Sequence, residues 1–273
     1  MRIMIKTELE RAFKSWGFWI ALFIGLGISV SQLVTRVIPA AINPIRFFES
    51  NNATVMPASA FQMWIGNGAT FEYTLYIRLV PILAAMPYAV TYLSDIKSGV
   101  IKNYVTRTSK NNYLVAKYVA VFVTGGITIV VPLLINYLVA ITVLPSFVWP
   151  IGVFAPSANS MWSEIFYTYP HIYIMMYMIL FFVCGGLVST VVLIISNLVN
   201  NRFIAVLAPY IIGEFANAVL RMVKIKWIRS LAPTILFNMS QINYGLSYIV
   251  FIAVLLILGG LVYFIGGIRH ETY

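Results

Sequence analysis

Long apolar runs constrain the fold of this chain more than any motif does, and the clearest is "IVFIAVLLILGGLVYFI" near the C-terminus. A helix needs ~20 apolar residues to cross a bilayer, and lipid offers no hydrogen bonds to an irregular backbone. A transmembrane β-barrel would instead show alternating segments of ~10 residues. The runs predict an all-α integral membrane protein with six transmembrane helices, at Trp16–Val34, Tyr73–Leu93, Leu114–Val143, Ile172–Ile195, Phe203–Leu220 and Tyr248–Ile268.

The composition supports a membrane protein with a single transmembrane domain over residues 1–273. The chain is 61% hydrophobic and 10% charged, whereas a soluble domain has about 45–50% apolar and about 25% charged residues. No polar stretch or linker is long enough to form a second domain. The first run is longer than the roughly 7–15 apolar residues of a signal peptide, so we interpret it as a retained helix.

The distribution of Lys and Arg residues predicts which ends of the spans face the cytoplasm. With the N-terminus inside, more of these residues fall on the cytoplasmic side, and six spans place both termini there. The basic cluster "RMVKIKWIR", Arg221–Arg229, then falls outside. In an alternative topology the fifth run is re-entrant, which moves this cluster inside and the C-terminus outside.

The N-terminal residues 1–15 have the pattern of an amphipathic helix. Ile5, Leu9 and Phe13 recur at a spacing of four residues, and a polar row contains Lys6 and Glu10. A basic amphipathic helix beside a span usually lies in the membrane interface. The alternative is that this helix extends the first span into the cytoplasm.

A polar and basic segment, "SDIKSGVIKNYVTRTSKNN", separates the second and third predicted spans. We call residues 94–112 the polar island. Ser94 or Asp95 can cap a helix start, Gly99 allows a bend, and Val100, Ile101, Tyr104 and Val105 share one face of a short helix. A simple connection has no use for an apolar face, whereas a docking helix buries one in a partner. The island therefore predicts a cytoplasmic coupling helix.

The stretch "SDIKSGVIKNYVTRTSKNNYLVAKYVA" is similar to the region between the second and third spans of ATP-binding-cassette (ABC) type 2 exporter permeases. The shared pattern comprises Asp95, Gly99, Ile101 to Val105, Arg107, Ser109, Tyr113, Leu114, Ala116 and Lys117. Family members often have proline after the arginine, where this chain has Thr108. The resemblance extends more loosely over the chain, through the N-terminal helix, the six spans and a hydrophobic outer segment before the last span.

This resemblance implies a permease subunit of an ATP-driven exporter in the plasma membrane, in a bacterial cell. A cytoplasmic ABC ATPase subunit would hold ATP and Mg²⁺. A second permease half, either a copy of this chain or a related subunit, would complete the path, and membrane lipids would surround both halves; no nucleic-acid partner is implied. The sequence has no G-x-x-x-x-G-K-[ST] loop of its own, so we expect no cofactor in this chain. The residues implied in ATPase coupling are Asp95, Gly99, Val100, Ile101, Tyr104, Val105 and Arg107.

The sequence argues against an enzyme active site or a metal centre. His171 and His270 are the only histidines, and the predicted spans place them on opposite sides of the membrane. The spans contain no paired carboxylates, and Cys184 is the only cysteine, so no intrachain disulfide forms. We expect a transport subunit without catalytic residues.

Polar residues within the spans are candidates for the translocation path, because ionisable side chains in membranes are rare and often functional. The candidates are Arg78, Asn136, Glu214 and Asn217. Alternatively, Glu214 pairs with Arg221 or Arg78, and Asn136 makes an interhelical hydrogen bond. Pro81 and Pro87 predict a kink in the second span.

A path with few charges suits a hydrophobic or amphipathic cargo, such as a peptide, an antimicrobial compound or a lipid-like molecule. The alternative function is a secondary transporter or channel without an ATPase partner. That class usually carries inverted repeats or several ionisable residues near the bilayer midplane. In this sequence Glu214 is nearly alone at that depth.

The segment 221–247 is too apolar for a plain loop and its apolar run is too short to cross. It combines basic residues with Trp227, Leu231, Ile235 and Phe237. We expect an outer re-entrant segment with its basic residues at the headgroups. The resemblance implies that these four residues form a lid over the exit, and the alternative is a static interfacial anchor.

Overall fold

The computed structural model describes residues 1–42, 58–67, 70–99, 104, 109–148 and 156–269, and every regular element in these ranges is helical. The helices are α1 Arg2–Phe13, α2 Trp16–Gln32, α3 Ile38–Ile42, α4 Ala60–Met63, α5 Phe71–Ala85, α6 Thr91–Lys97, α7 Lys110–Val143, α8 Ser163–Thr168, α9 Pro170–Ile195, α10 Arg202–Met222, α11 Lys226–Arg229, α12 Pro233–Leu236 and α13 Gly245–Arg269. A π-helix, Leu33–Val37, joins α2 to α3, and a 3₁₀ turn covers Ile65–Asn67.

Five of these helical segments are long and apolar enough to cross a membrane, judged by length and composition. They are Trp16–Ile42, Lys110–Val143, Pro170–Ile195, Arg202–Met222 and Gly245–Gly267. All five coincide with predicted spans. The chain therefore has the character of an all-helical membrane protein.

The second predicted span is not one continuous helix. It forms α5 and α6, with a turn over residues 86–90 between them. Pro87 lies in this turn, where its missing N–H and its ring disfavour a continuous helix. Pro81 remains inside α5, so of the two predicted kink sites only Pro87 coincides with the break.

The bounds of two other helices differ from the prediction for local reasons. The helix α7 begins four residues before Leu114, because the Ser109 hydroxyl accepts a hydrogen bond from the N–H of Asn112 and caps the helix start. The first span continues past Val34 through the π-helix into α3. The backbone hydrogen bonding changes to the π-helical pattern over Leu33–Val37, but the chain stays helical as far as Ile42.

The helices α7 and α9 pack closely through glycines. A Cβ atom added at Gly126 would lie 2.7 Å from the carbonyl oxygen of Phe182, and one at Gly186 would lie 2.7 Å from that of Phe122. Small residues at such positions let two helix backbones approach in a membrane. This pair forms the centre of the bundle.

Two apolar clusters lie toward opposite ends of the bundle. One contains Trp64, Tyr73 and Phe237, and we call its end the far end. The other contains Tyr92, Tyr113 and Tyr263, and we call its end the island end. The hydroxyl of Tyr263 donates to the Leu114 carbonyl at 3.3 Å, so the C-terminal part of α13 lies beside the start of α7, at the island end.

Candidate functional site

Four charged side chains form a closed ring at the island end, which we call the ion ring. Arg11 Nη1 lies 2.8 Å from Glu8 Oε1, and Arg11 Nη2 lies 3.0 Å from Asp95 Oδ1. Lys117 Nζ lies 3.2 Å from Glu8 Oε2 and 2.7 Å from Asp95 Oδ2. Each carboxylate therefore bridges both cations, and the ring joins α1, α6 and α7.

The ion ring is largely removed from solvent. The side chains of Glu8 and Lys117 are 0% exposed, that of Asp95 is 5% exposed, and that of Arg11 is 35% exposed. Two negative and two positive charges sum to zero. Buried charges are tolerated when they are paired and hydrogen-bonded, and this ring meets both conditions.

Two tyrosines complete the hydrogen bonding of the carboxylates. The Tyr88 hydroxyl donates to Glu8 Oε2 at 2.7 Å, and the Tyr113 hydroxyl donates to Asp95 Oδ2 at 2.9 Å. Lys117 Nζ also lies 4.1 Å from the centre of the Tyr88 ring, a distance at which an aromatic face attracts a cation. These contacts orient Glu8, Asp95 and Lys117 within the ring.

The electrostatic balance keeps Asp95 and Arg11 ionised. Burial raises the pKa of the Asp95 carboxyl, but the Lys117 ammonium and the Arg11 guanidinium lower it more, so its net pKa lies below the ordinary value. Burial lowers the pKa of Arg11, but its hydrogen bond to Asp95 and the charge of both carboxylates raise it more. Both groups are charged at neutral pH.

The helix α1 forms as the sequence predicts, but its buried face is a different one. Its buried residues are Met4, Glu8 and Ala12, which recur every four residues and face the bundle. The predicted apolar row is half-buried at Leu9 and exposed at Phe13. Since Glu8 lies between two apolar neighbours on one helix face, it enters the core with them.

The polar island begins differently from the prediction. Asp95 does not cap a helix start, because it lies within α6 and its carboxylate belongs to the ion ring. Gly99 has φ +67°, a left-handed conformation that favours glycine. The predicted bend at Gly99 is confirmed.

The only described residue of the predicted docking face is Tyr104. Its ring stacks on Tyr113 with a centroid distance of 5.5 Å, and its hydroxyl accepts a hydrogen bond from Arg11 Nη1 at 3.2 Å. Part of the Tyr104 side chain is therefore occupied within this chain. The other four predicted coupling residues lie outside the described residues: Val100, Ile101, Val105 and Arg107.

Two of the four candidate path residues have structural partners. Asn136 is fully buried; its amide donates to the Ser29 carbonyl at 3.1 Å and to Gln32 Oε1 at 2.8 Å, and its oxygen accepts from the Ile65 N–H at 2.9 Å. The interhelical hydrogen bond expected as its alternative role is confirmed. Asn217 Oδ1 accepts from both the N–H and the hydroxyl of Thr234, each at 3.0 Å.

The other two candidates, Arg78 and Glu214, have no such partners. Arg78 is exposed on α5 and Glu214 is half-buried on α10. Arg78, Glu214 and Arg221 all lie in the described part of the chain. Neither arginine forms an ion pair with Glu214 there. The expected pairing is wrong because Arg221 turns toward Thr234, to which its guanidinium donates at 2.9 Å.

The segment 221–247 is held against the far end of the bundle. Phe237 is buried and packs on Phe181 with a centroid distance of 5.6 Å. The hydroxyl of Tyr73 donates to the Phe237 carbonyl at 2.8 Å, and that of Tyr248 donates to the Leu236 carbonyl at 2.6 Å. The remaining predicted lid residues are half-buried: Trp227, Leu231 and Ile235. These contacts hold the segment 221–247 against the bundle. Its movement as a lid stays a prediction.

No group of three or more His, Cys, Asp and Glu side chains in the described ranges has the arrangement of a metal site. His171 lies instead beside Tyr137, with Nδ1 2.5 Å from the tyrosine hydroxyl. Its ring also packs against Phe61 with a centroid distance of 5.0 Å. The surroundings of His171 are thus aromatic.

No protein-family model matches this chain, and no curated protein matches it in sequence. The expected resemblance to ABC type 2 exporter permeases therefore rests on the residues of the polar island and on the order of the apolar runs, and it stays a prediction. Two of the island-region residues that carry this similarity, Asp95 and Lys117, meet in the ion ring.

Sequence reasoning did not identify Glu8 as a site residue. The available signal was its place between Met4 and Ala12 in a chain that contains only 8 acidic residues. An acidic residue in the middle of an apolar helix face requires a cation inside the fold. Lys117, seven residues into α7, is that cation.

Proposed function

We propose that this chain is the transmembrane permease subunit of an ATP-driven ABC exporter, which moves a hydrophobic or amphipathic cargo out of the cell across the plasma membrane. The ion ring is the observation that carries this proposal. It ties the start of the polar island, at Asp95, to the N-terminal helix and to the long helix α7. A displacement of the island would then pass directly to membrane-spanning helices.

The six-span layout is part of the proposal. Five helices have the length and apolar character of spans. The sixth crossing would be α5 with the start of α6 as far as Leu93, because Tyr73 contacts Phe237 at the far end and Asp95, just beyond it, contacts Lys117 at the island end. The turn at Pro87 would be a bend within this crossing. An even number of crossings agrees with the place of the C-terminal part of α13 at the island end.

The cargo path would run along the face that bears Arg78 and Glu214, between this chain and a second permease half. Both side chains have solvent-accessible surface and neither has an ion-pair partner within the described structure. Ionisable side chains in spans usually face a bundle interior or a water-filled cavity. A second half opposite α5 and α10 would create that cavity.

The test begins with purification of the tagged chain from its native membranes in mild detergent, followed by measurement of ATP hydrolysis. The complex is then reconstituted in vesicles with a fluorescent amphipathic peptide as the probe. The proposal expects ATPase activity to co-elute with the chain and uptake of the peptide to require ATP. Uptake that proceeds without ATP would instead identify a secondary transporter or channel.

A matched pair of variants tests the role of the island. Ile101→Asp places a charge on the predicted docking face, so the ATPase should no longer co-elute, because an unpaired buried charge opposes association. Leu198→Asp places the same charge at the island end, on a side chain that is 80% exposed, and should leave co-elution unchanged. If both variants retain the ATPase fully, the island is not the docking element.

A further inference from the structure

A polar pocket of about 390 Å³ lies at the far end of the bundle, where α10, α11 and α12 meet. We call it the arginine pocket. Its lining residues are Arg221, Arg229, Thr234, Ile235, Asn238 and Gln241. Every polar group in this lining is a hydrogen-bond donor or can act as one, and none is acidic.

The two guanidinium groups of the pocket are not neutralised. Among the described residues, no carboxylate lies within 4.0 Å of Arg221 or Arg229. The segment between them adds Lys224 and Lys226 and contains no acidic residue. A concave surface lined by one sign of charge attracts and concentrates ligands of the opposite sign.

The pocket has a fixed frame. Asn217 is 6% exposed, and its side-chain oxygen accepts both the N–H and the hydroxyl of Thr234. The Thr234 hydroxyl in turn accepts from Arg221 Nη2 at 2.9 Å. Asn238 Oδ1 accepts from the N–H of Ser240 at 3.0 Å, which leaves the Asn238 amide N–H₂ to donate elsewhere. This frame orients Arg221 and Asn238, which both line the pocket.

The surroundings of the pocket are those of a membrane surface. Met222 is 84% exposed and Ile225 is 52% exposed on the same segment, and α10, whose last turn contributes Arg221, is a candidate span. A ligand here would meet arginine donors at one end and apolar side chains beside them. That combination matches a headgroup phosphate with attached acyl chains.

We infer that the arginine pocket binds the phosphate of an anionic phospholipid headgroup. Two guanidinium groups can bind phosphate oxygens in a bidentate manner, and the amide groups of Asn238 and Gln241 can donate further hydrogen bonds. The pocket is larger than a single inorganic phosphate ion, so a headgroup fills it better. This inference does not depend on the proposed transport activity.

Native mass spectrometry of the full chain in detergent tests the inference, with phosphatidylglycerol as the probe. The wild-type protein should retain a bound phosphatidylglycerol molecule. Arg221→Gln/Arg229→Gln should weaken its retention at least about tenfold, because two charge-assisted contacts are lost. Lys224→Gln/Lys226→Gln removes the same charge from the same segment, outside the pocket lining, and should retain the lipid as the wild type does.

A single arginine variant and a competition experiment separate loss of the site from unfolding and from simple phosphate binding. Arg229→Gln alone preserves the Arg221–Thr234 hydrogen bond, so it should weaken retention without altering the unfolding of the protein. Inorganic phosphate is added as a competitor, and it should fail to displace the lipid. Equal retention by the arginine and lysine variants would overturn the site, and full displacement by inorganic phosphate would overturn the lipid as its ligand.

Discussion

Replacing Lys117 by methionine should destabilise the protein strongly and in a pH-dependent manner. Methionine keeps an unbranched apolar stem but removes one of the two cations of the ion ring. The charge of the ring then changes from zero to −1, and Glu8 and Asp95 have only Arg11 to share. Since the Glu8 and Lys117 side chains are 0% exposed, water cannot replace the lost cation without a rearrangement.

Two independent estimates give the size of this effect. Removal of one partner from a buried ion pair typically costs about 3–5 kcal/mol. Alternatively, the variant ring can take up a proton on a carboxylate whose ordinary pKa is near 4; at pH 7 this costs about 4 kcal/mol, from about 1.4 kcal/mol for each of roughly three pH units. The estimates agree, so we expect a loss of about 4 kcal/mol at pH 7.

The protonation route makes the loss depend on pH. In the variant, the folded carboxyl has a pKa above its unfolded value, so the folded state holds more protons and its stability falls as the pH rises. Between pH 7 and about pH 5 the loss should therefore shrink by about 2.7 kcal/mol. The wild-type ring should show no such gain on acidification over this range, because the Asp95 pKa is lowered.

A charge-balanced double variant provides the control. Glu8→Gln/Lys117→Met removes one anion and one cation and leaves the Arg11–Asp95 pair in place. It should lose less stability than Lys117→Met, with little dependence on pH, and the cycle of the two single variants and the double variant gives the coupling energy.

Equilibrium unfolding in mixed detergent micelles, followed by circular dichroism at several pH values, measures these differences. Labelling of Cys184 at neutral pH provides a second probe, because this only cysteine is buried. The reasoning is refuted if the loss in Lys117→Met is the same at pH 5 and pH 7. It is also refuted if the double variant is as unstable as the single one.

Gly126→Ala should destabilise the bundle, because its Cβ would lie 2.7 Å from a carbonyl oxygen of α9, whereas Gly260→Ala meets nothing within 4 Å and should be neutral in the same unfolding measurement. Asn136→Leu should cost at least about 1–3 kcal/mol, since it leaves buried donors and acceptors unpaired. In a Cys184→Ala background, an impermeant thiol reagent should label a cysteine at Asn159 from outside intact cells but not one at Asn111; labelling of both from outside would contradict the proposed topology.

The positions of the long helices were predictable because their cause is local. A run of apolar residues needs a membrane-spanning helix wherever it stands in the chain, and five predicted spans coincide with observed helices. The break in the second run was less predictable. Two prolines, Pro81 and Pro87, carry the same local signal, but Pro81 stays inside α5 and only Pro87 coincides with the break. The local pattern does not distinguish the two positions.

The ion ring could not be predicted from local patterns, because its members lie far apart in the chain. Glu8 and Asp95 are joined through Arg11 and Lys117, across the separate helices α1, α6 and α7. The apolar spacing of α1 favours the face with Leu9, and only the position of α7 decides that the face with Glu8 is buried. A pairing of this kind depends on how helices pack, which the periodicity of one helix does not determine.

A ring of charges holds the island end in a different way from an apolar contact. A small shift at an apolar contact leaves no charge unpaired, whereas a broken contact in the ion ring leaves a buried charge without its partner. We therefore expect the helices α1, α6 and α7 to move together at this point. Under the proposed function, a force on the island would have to move the N-terminal helix with it. Arg11, the one ring member with substantial exposure, also contacts Tyr104 of the island, so Arg11→Gln should loosen the contact of α1 with the island while the Lys117–Asp95 pair still joins the island to α7.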